Sequence, residues 1–423
     1  MFKFIHAADI HLDSPLRGLS RYESAPEESI RNACRRAFEN LVDLAIEEKV
    51  AFVLLAGDLY DGDWKDYSTG IFLSQQMGRL GQHNILVFAV AGNHDAANRM
   101  TKALDSPSNM KILSSRKVET ITLDDLGVVI QGQSFGTQHV DENLAAGYAH
   151  AHKGMLNIGL LHTSLDGREG HAVYAPCSVD DLRNKGHQYW ALGHIHKQEI
   201  VSKDPWIVFP GCIQGRHIRE TGAKGCMLVT VEDGTISDVE SVVLDVLRWV
   251  FCTVDLTDAA AKRDVLERTR NVIEKEREQA EGRPLAMRIR FQGATPLSEE
   301  LAADPEGFEQ QIKMLGAEIA GSDLWIERVE NTTGGKRDLQ SSLSDDNALG
   351  KMLRGIMATP GTMNDIAGLK EVIADLRQKI PSEVFRADSA LDFTKDQDQV
   401  VERLVDEAKK MLIGKLLTMG GAA

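Results

Sequence analysis

Five apolar, β-branched runs in this chain each stop in a small residue or a turn and then a carboxylate, amide or imidazole. Phe2 to Ala7 leads into Ala8-Asp9-Ile10-His11, Phe52 to Leu55 into Ala56-Gly57-Asp58, and Ile85 to Val90 into Ala91-Gly92-Asn93-His94-Asp95. Leu156 to Leu161 leads into His162, and Tyr189 to Leu192 into Gly193-His194-Ile195-His196. Runs of this kind read as buried strands. Buried strands do not normally end in polar side chains pressed together, and ligands of α/β proteins collect where strands end. The five ends are therefore expected to converge on one pocket.

The surrounding pattern supports a layered α/β (α+β) architecture. Up to about residue 245, strand-like runs alternate with amphipathic helical ones, such as Pro26 to Glu48 followed by Ala51 to Ala56. From Leu247 the order is strand (Trp249 to Leu256), helix (Asp258 to Ala280), strand (Leu285 to Phe291), helix (Pro305 to Ala320) and strand (Leu324 to Glu330). The domains expected are 1–245, a small α+β domain over 246–335, and a helical appendage over 345–423. That appendage is interrupted at Pro360-Gly361 and Pro381 and ends in an amphipathic helix from Gln397 to Met419. Its apolar positions Val400, Leu404, Ala408, Met411, Leu412 and Leu416 fit packing on the parent domain or a groove-bound partner.

The residue types at the strand ends define the chemistry. Asp9, His11, Asp58, Asn93, His162, His194 and His196 form a mixed oxygen and nitrogen set without thiolate, which suits Mn, Fe, Zn, Co or Ni. Seven such groups exceed the needs of one ion. Two ions sharing a carboxylate would use them all, and paired cations about 3.5 to 4 Å apart clamp the attacking and leaving oxygens of phosphoryl displacement. Taken singly, Asp58 would pass for a turn aspartate and His162 for a satisfied core histidine. The joint pattern makes the case. His150 and His152, in the helical-looking AAGYAHAHK, have no preceding strand and read as surface imidazoles.

D-x-H, G-D, G-N-H-D, H and G-H-x-H in this order resemble the calcineurin-like metallophosphoesterase superfamily. The wording AADIHLDSPL, LLAGDLYD, VAGNHD, ALGHIHK and FPGCIQGRHIRETGAKG is similar to the SbcD group of DNA-repair exonucleases, in its YhaO-like branch. The resemblance covers about residues 1–245. It implies a four-layer metallophosphoesterase sandwich with a small α+β cap and a helical C-terminal region. Carried onto matching positions, it implies that Asp9, His11 and His196 hold one divalent cation, that Asn93, His162 and His194 hold the other, and that Asp58 bridges them. Manganese is the first expectation. A water between the cations would attack phosphorus, His94 would protonate the leaving oxygen, and Asp95 would fix the His94 ring. Related nucleases often carry a histidine three residues after the bridging aspartate, where this chain has Asp61. The Arg-Gly of serine/threonine phosphatases is missing after it, and Asp95 stands where those enzymes have Glu.

The function implied is a DNA phosphodiesterase, the exonuclease or endonuclease subunit of a repair complex. A small-nucleotide phosphodiesterase and a DNA-end-binding scaffold are the alternatives. The resemblance further implies a homodimer and a coiled-coil ATPase partner of the SbcC or YhaN kind, since no Walker motif occurs here. Arg216, His217 and Arg219, with Lys224 nearby, follow Pro210-Gly211 and are candidates to line a phosphate path. A net charge of −15 argues against nucleic-acid binding over the whole surface, leaving a local groove or bound cations to do that work. Five scattered cysteines without C-x-x-C spacing fit a reducing compartment. With no basic-then-apolar leader pattern and no window long enough to span a bilayer, the expected location is cytoplasmic.

Overall fold

The computed structural model describes residues 1–14, 27–61, 68–97, 107–167, 173–334, 343–344, 346–359, 405–406, 408–413 and 416. The chain divides into two compact units, Met1–Val250 with Gly282–Ala286, and Phe251–Glu281 with Met287–Ala423.

The first unit holds two six-stranded sheets. One runs, in spatial order, Thr235–Val243, Gly225–Glu232, Phe2–Ala7, Phe52–Leu55, Leu86–Ala89, Met110–Ile112. The other runs Glu119–Leu123, Val128–Gln133, Leu156–His162, Tyr189–Gly193, Trp206–Phe209, Glu199–Lys203. The period-2 alternation of side chains sorts the core into three levels. Ile5, Ala7, Val53, Leu55, Val87 and Ala89 face outward and pack on Phe38, Leu41, Val42 and Phe72 of the helices Glu27–Glu47 and Ser68–Gln82. The alternating Phe4, Phe52, Leu54 and Phe88 face inward and meet Val128, Ile130, Ile158, Leu160 and Tyr189 of the second sheet. The far side of that sheet packs Leu161, Trp190, Leu192 and Phe209 against Leu182 of the short helix Val179–Arg183 and against Tyr148. The result is helix, sheet, sheet, helix: a four-layer α/β sandwich.

Parallel pairing sets where the functional residues emerge. Phe2–Ala7, Phe52–Leu55 and Leu86–Ala89 are neighbours in parallel register, with Ala7 opposite Leu55 and Leu55 opposite Ala89. In the second sheet His162 lies opposite Gly193. All five strands therefore end on one side of the sandwich.

The second unit carries the three-stranded sheet Arg248–Asp255, Leu285–Gln292, Leu324–Asn331, whose first strand begins in the first unit. The helices Lys262–Gln279 and Pro305–Ala320 belong to it, and Phe308 meets Phe291 with ring centroids 4.9 Å apart. A further helix spans Ala348–Ala358. Of the expected helix from Gln397 to Met419, only 405–406, 408–413 and 416 are described, and these are helical. Val400 and Leu404 lie outside the described residues. Among those residues, no helix is long and apolar enough to cross a membrane.

One local expectation is corrected. AAGYAHAHK is not a helix: a single 3-10 turn covers Leu144–Gly147 and the chain then extends. The Asn157 side chain replaces helical bonding, accepting from the His152 amide at 2.7 Å and donating to its carbonyl at 2.9 Å. His150 and His152 are exposed.

Trp190 shows how tightly the second sheet is keyed. It is fully buried, lies opposite Gly159, where a Cβ would strike its ring, and donates its indole N–H to the Leu182 carbonyl at 3.2 Å. Trp190→Ala should cost about 3–5 kcal/mol, read as a lowered urea midpoint at unchanged slope.

Candidate metal centre

The pocket is built by backbone continuing in step beyond the strands. Asp9 N–H donates to the Gly57 carbonyl at 3.0 Å, and His11 N–H to the Asp58 carbonyl at 2.9 Å, so two turns run side by side. That path requires left-handed backbone at side-chain-bearing residues. Asp9, His11 and Asp58 have φ of 51°, 48° and 51°, and His194 has 101°. Such conformations cost free energy, and they gather at functional sites because packing over-determines them. Gly92 and Gly193 permit the closest approaches: a Cβ on Gly92 would strike the Asp58 carboxylate, and one on Gly193 the Ala56 carbonyl.

The seven residues singled out as ligands meet here. Asp9, His11, Asp58, His162 and His194 are buried, as is Asn93, and the His196 side chain is 21 % exposed. His11 Nε2 lies 3.2 Å from His196 Nε2, which is itself 3.8 Å from Asp9 Oδ1. On the other side, His162 Nε2 lies 3.1 Å from Asn93 Oδ1, with the His194 ring centroid 5.2 Å from that of His162. Asp58 Oδ2 faces both sets, 3.9 Å from His11 Nε2 and 3.5 Å from His162 Nε2. Three overlapping groups, Asp9/His11/His196, His11/Asp58/His94 and Asp9/Asp58/His162, each bring their ligand atoms within 4.8 Å of one another.

The protonation chemistry fits cations. Burial and then the Asp58 charge push the Asp9 carboxyl well above its usual range, and burial also raises Asp58. Burial drops His162 to about 3 and holds His11 far below its ordinary value, so both imidazoles are neutral. His162 Nδ1 lies 2.9 Å from the Ala56 carbonyl, which can only accept, so Nδ1 carries the hydrogen and Nε2 keeps a lone pair. His196 Nδ1 lies 2.7 Å from Glu220 Oε1, which turns its Nε2 toward Asp9 and His11. Ring nitrogens and carboxylates face one another in a largely buried pocket, and divalent cations are the groups that this donor set accepts.

His94 stands beside the ligands, its ring 4.9 Å from that of His11 and its backbone N–H donating to Asp58 Oδ1 at 2.9 Å. The expected role of Asp95 is corrected. Its carboxylate accepts from the backbone N–H groups of Leu59, Tyr60 and Gly92 at 3.2, 2.9 and 3.0 Å, clamping one strand-end turn to the next. The partner of the His94 ring is Asp61, 2.7 Å from Nδ1. In a turn opened by Asn93, the next two side chains diverge, so adjacency in sequence is not contact in space. Burial disfavours protonation of His94, but the Asp61 hydrogen bond and the Asp58 charge outweigh it and raise its pKa. Asp61 itself is held down at about 2: burial opposes this, and its hydrogen bonds to His94 and Ser14 prevail.

The phosphate-path expectation is divided. Arg216 lies in the pocket with its side chain 12 % exposed, committed to Glu220 at 2.9 Å and to Asp61 at 3.5 Å. His217 and Arg219 are exposed on the same loop, and His217 Nε2 lies 3.6 Å from Glu220. Two residues that hold imidazoles of the site had no role from sequence, Asp61 being noted only as a departure and Glu220 not at all. The signal for Asp61 was its place three residues after Asp58; Glu220 had only its i+4 spacing from Arg216.

Because Asp9 and Asp58 are costly to ionise together, a divalent cation should stabilise the fold strongly. Mn²⁺ at about 100 times its Kd should add about 2.7 kcal/mol, seen as a raised Tm, and Asp58→Asn should remove most of that shift.

Comparison with known proteins agrees with this geometry. Residues 2–198 match the calcineurin-like phosphoesterase family, and residues 249–334 match the middle domain of the metallophosphoesterase YhaO. The uncharacterized metallophosphoesterase YhaO of Bacillus subtilis is 35 % identical over 343 residues, 79 % of this chain and 83 % of that one. The DNA double-strand break repair protein Mre11 of Archaeoglobus fulgidus is 26 % identical over 238 residues, 52 % of this chain and 51 % of that one. A dimetal phosphatase from Danio rerio aligns at 11 % identity with a TM-score of 0.33, over 54 % of this chain and 92 % of that one, and adds nothing to the assignment. Ligand-bearing strand ends on a four-layer sandwich, with YhaO-like sequence continuing beyond them, place the chain in the calcineurin-like metallophosphoesterase family, YhaO-like group.

Proposed function

We propose that this metallophosphoesterase is a two-cation phosphodiesterase acting on DNA, the nuclease subunit of a repair complex, with manganese as the first candidate metal and Fe, Zn, Co or Ni as alternatives. The observation that carries the reading is Asp58 Oδ2 standing between two ligand sets, 3.9 Å from His11 and 3.5 Å from His162. Asp9, His11 and His196 would hold one cation, and Asn93, His162 and His194 the other. Bound cations supply an activated water and neutralise charge on the phosphoryl oxygens. The chain's own contribution is the proton. Asp61 holds His94 Nδ1–H, so Nε2 of the protonated ring can give a proton to the oxygen that leaves with the P–O bonding pair.

DNA as substrate is supported by likeness to a protein named for double-strand break repair, over about half of this chain. In this reading 1–245 is the catalytic domain, 246–335 a cap, and 345–423 the surface for an SbcC-like or YhaN-like ATPase in a homodimeric assembly. The net charge of −15 favours a second reading, a phosphodiesterase for small nucleotides.

Metal analysis of the purified chain, then assays on labelled duplex DNA, single-stranded DNA and a cyclic nucleotide, separates the two. Preference for the cyclic nucleotide overturns the DNA assignment. Asp58→Asn should abolish hydrolysis of bis-p-nitrophenyl phosphate with Mn²⁺ supplied, and full residual activity would refute the bridge.

The His94 pKa, raised by Asp61, keeps the acid protonated to higher pH. Asp61→Asn should therefore move the alkaline limb of the pH–kcat profile downward and lower kcat by about 10²-fold or more. An unmoved limb would exclude His94 as the titrating acid.

A further inference from the structure

Arg216 was a natural candidate for a phosphate contact, but its surroundings describe another task. Its guanidinium offers Nε to Glu220 Oε2 at 3.3 Å and Nη2 to Glu220 Oε1 at 2.9 Å, while its own backbone N–H donates to Oε2 at 2.7 Å. Nη1 faces Asp61 Oδ2 at 3.5 Å. Each of these carboxylates orients one imidazole of the centre: Glu220 takes His196 Nδ1 at 2.7 Å, and Asp61 takes His94 Nδ1 at 2.7 Å. The contacts run from His196 through Glu220, Arg216 and Asp61 to His94, with Arg216 Nη2 also 3.3 Å from His196 Nδ1.

We propose that Arg216 is a positioning residue that couples the two ends of this line, holding the metal-facing His196 and the proton-donating His94 in register through their carboxylates. The inference rests on the ligand and acid roles given above to those two histidines. A planar fork with donors on two edges can brace two carboxylates at once, and a lysine ammonium on a flexible stem cannot do so with the same geometry. Both carboxylates need the brace. Glu220 is 5 % exposed and the Asp61 side chain 18 %, so without a fixed cation each would turn toward water and release its histidine. With its side chain 12 % exposed and two edges occupied, Arg216 has little left to offer a phosphate.

The test uses the full chain and two readouts, Mn²⁺ affinity by calorimetry and the ratio of kcat for bis-p-nitrophenyl phosphate to that for diphenyl phosphate. The second ester has the poorer leaving group and depends more on His94. Arg216→Lys should weaken Mn²⁺ binding by about 10- to 100-fold and widen the leaving-group ratio, with little change in KM at saturating Mn²⁺. A raised KM with unchanged Mn²⁺ affinity would make Arg216 a substrate contact, and full retention of both readouts by lysine would show that charge alone suffices. Either result overturns the proposal.

Glu220→Gln, nearly isosteric, supplies an independent check. It changes a residue that contacts His196 and Arg216 but neither Asp61 nor His94, yet through Arg216 it should widen the leaving-group ratio as well as weaken Mn²⁺ binding. Weakened Mn²⁺ binding with an unchanged ratio would show that the ends act separately and would sink the coupling. Neither readout involves DNA, so a failure of the DNA assignment leaves the result standing.

Discussion

Asp9 and Asp58 lie at neighbouring strand ends, each about 1 % exposed, and two carboxylates buried this close do not both ionise without positive charge between them. Most of what surrounds the pocket answers that constraint. The nearby imidazoles His11 and His162 are neutral in the protein, so they do not supply the missing charge; they offer lone pairs to whatever does. Arg216, a permanent cation in the pocket, pairs with Glu220 and Asp61. The centre of this calcineurin-like metallophosphoesterase thus gathers donors that a divalent cation would satisfy.

The scaffold meets this demand with rigid parts. Parallel strands bring five chain segments to one rim, and the turns beyond them stay hydrogen-bonded to each other, as Asp9 is to Gly57 and His11 to Asp58. Left-handed backbone at Asp9, His11, Asp58 and His194 aims the side chains inward, at a cost that the packed sheets below offset. Asp95 joins this framework by locking the Gly92 turn to Leu59 and Tyr60. A residue that looked like part of the proton-transfer chemistry is a structural clamp.

Orientation is added by carboxylates outside the ligand set. Glu220 and Asp61 each hold Nδ1 of one imidazole, and that decides which ring nitrogen points into the pocket. The residues of the centre all lie within Met1–Val250.

The sequence by itself determined the layered fold and the seven polar residues at the strand ends. Period-2 alternation assigns each strand residue to a layer, as Phe4 inward and Ile5 outward, and polar groups that interrupt buried strands have few reasons to be there. It could not determine the partners of those residues. AAGYAHAHK reads as helical until the Asn157 amide, five residues beyond His152, takes over its backbone. The partner of His94 is Asp61 rather than its neighbour Asp95, and the acid that orients His196 arrives from 24 residues away. Local pattern encodes which way a side chain leaves its own backbone, whereas hydrogen-bond partners depend on which distant turns the sheets bring together. Only the tertiary structure decided that.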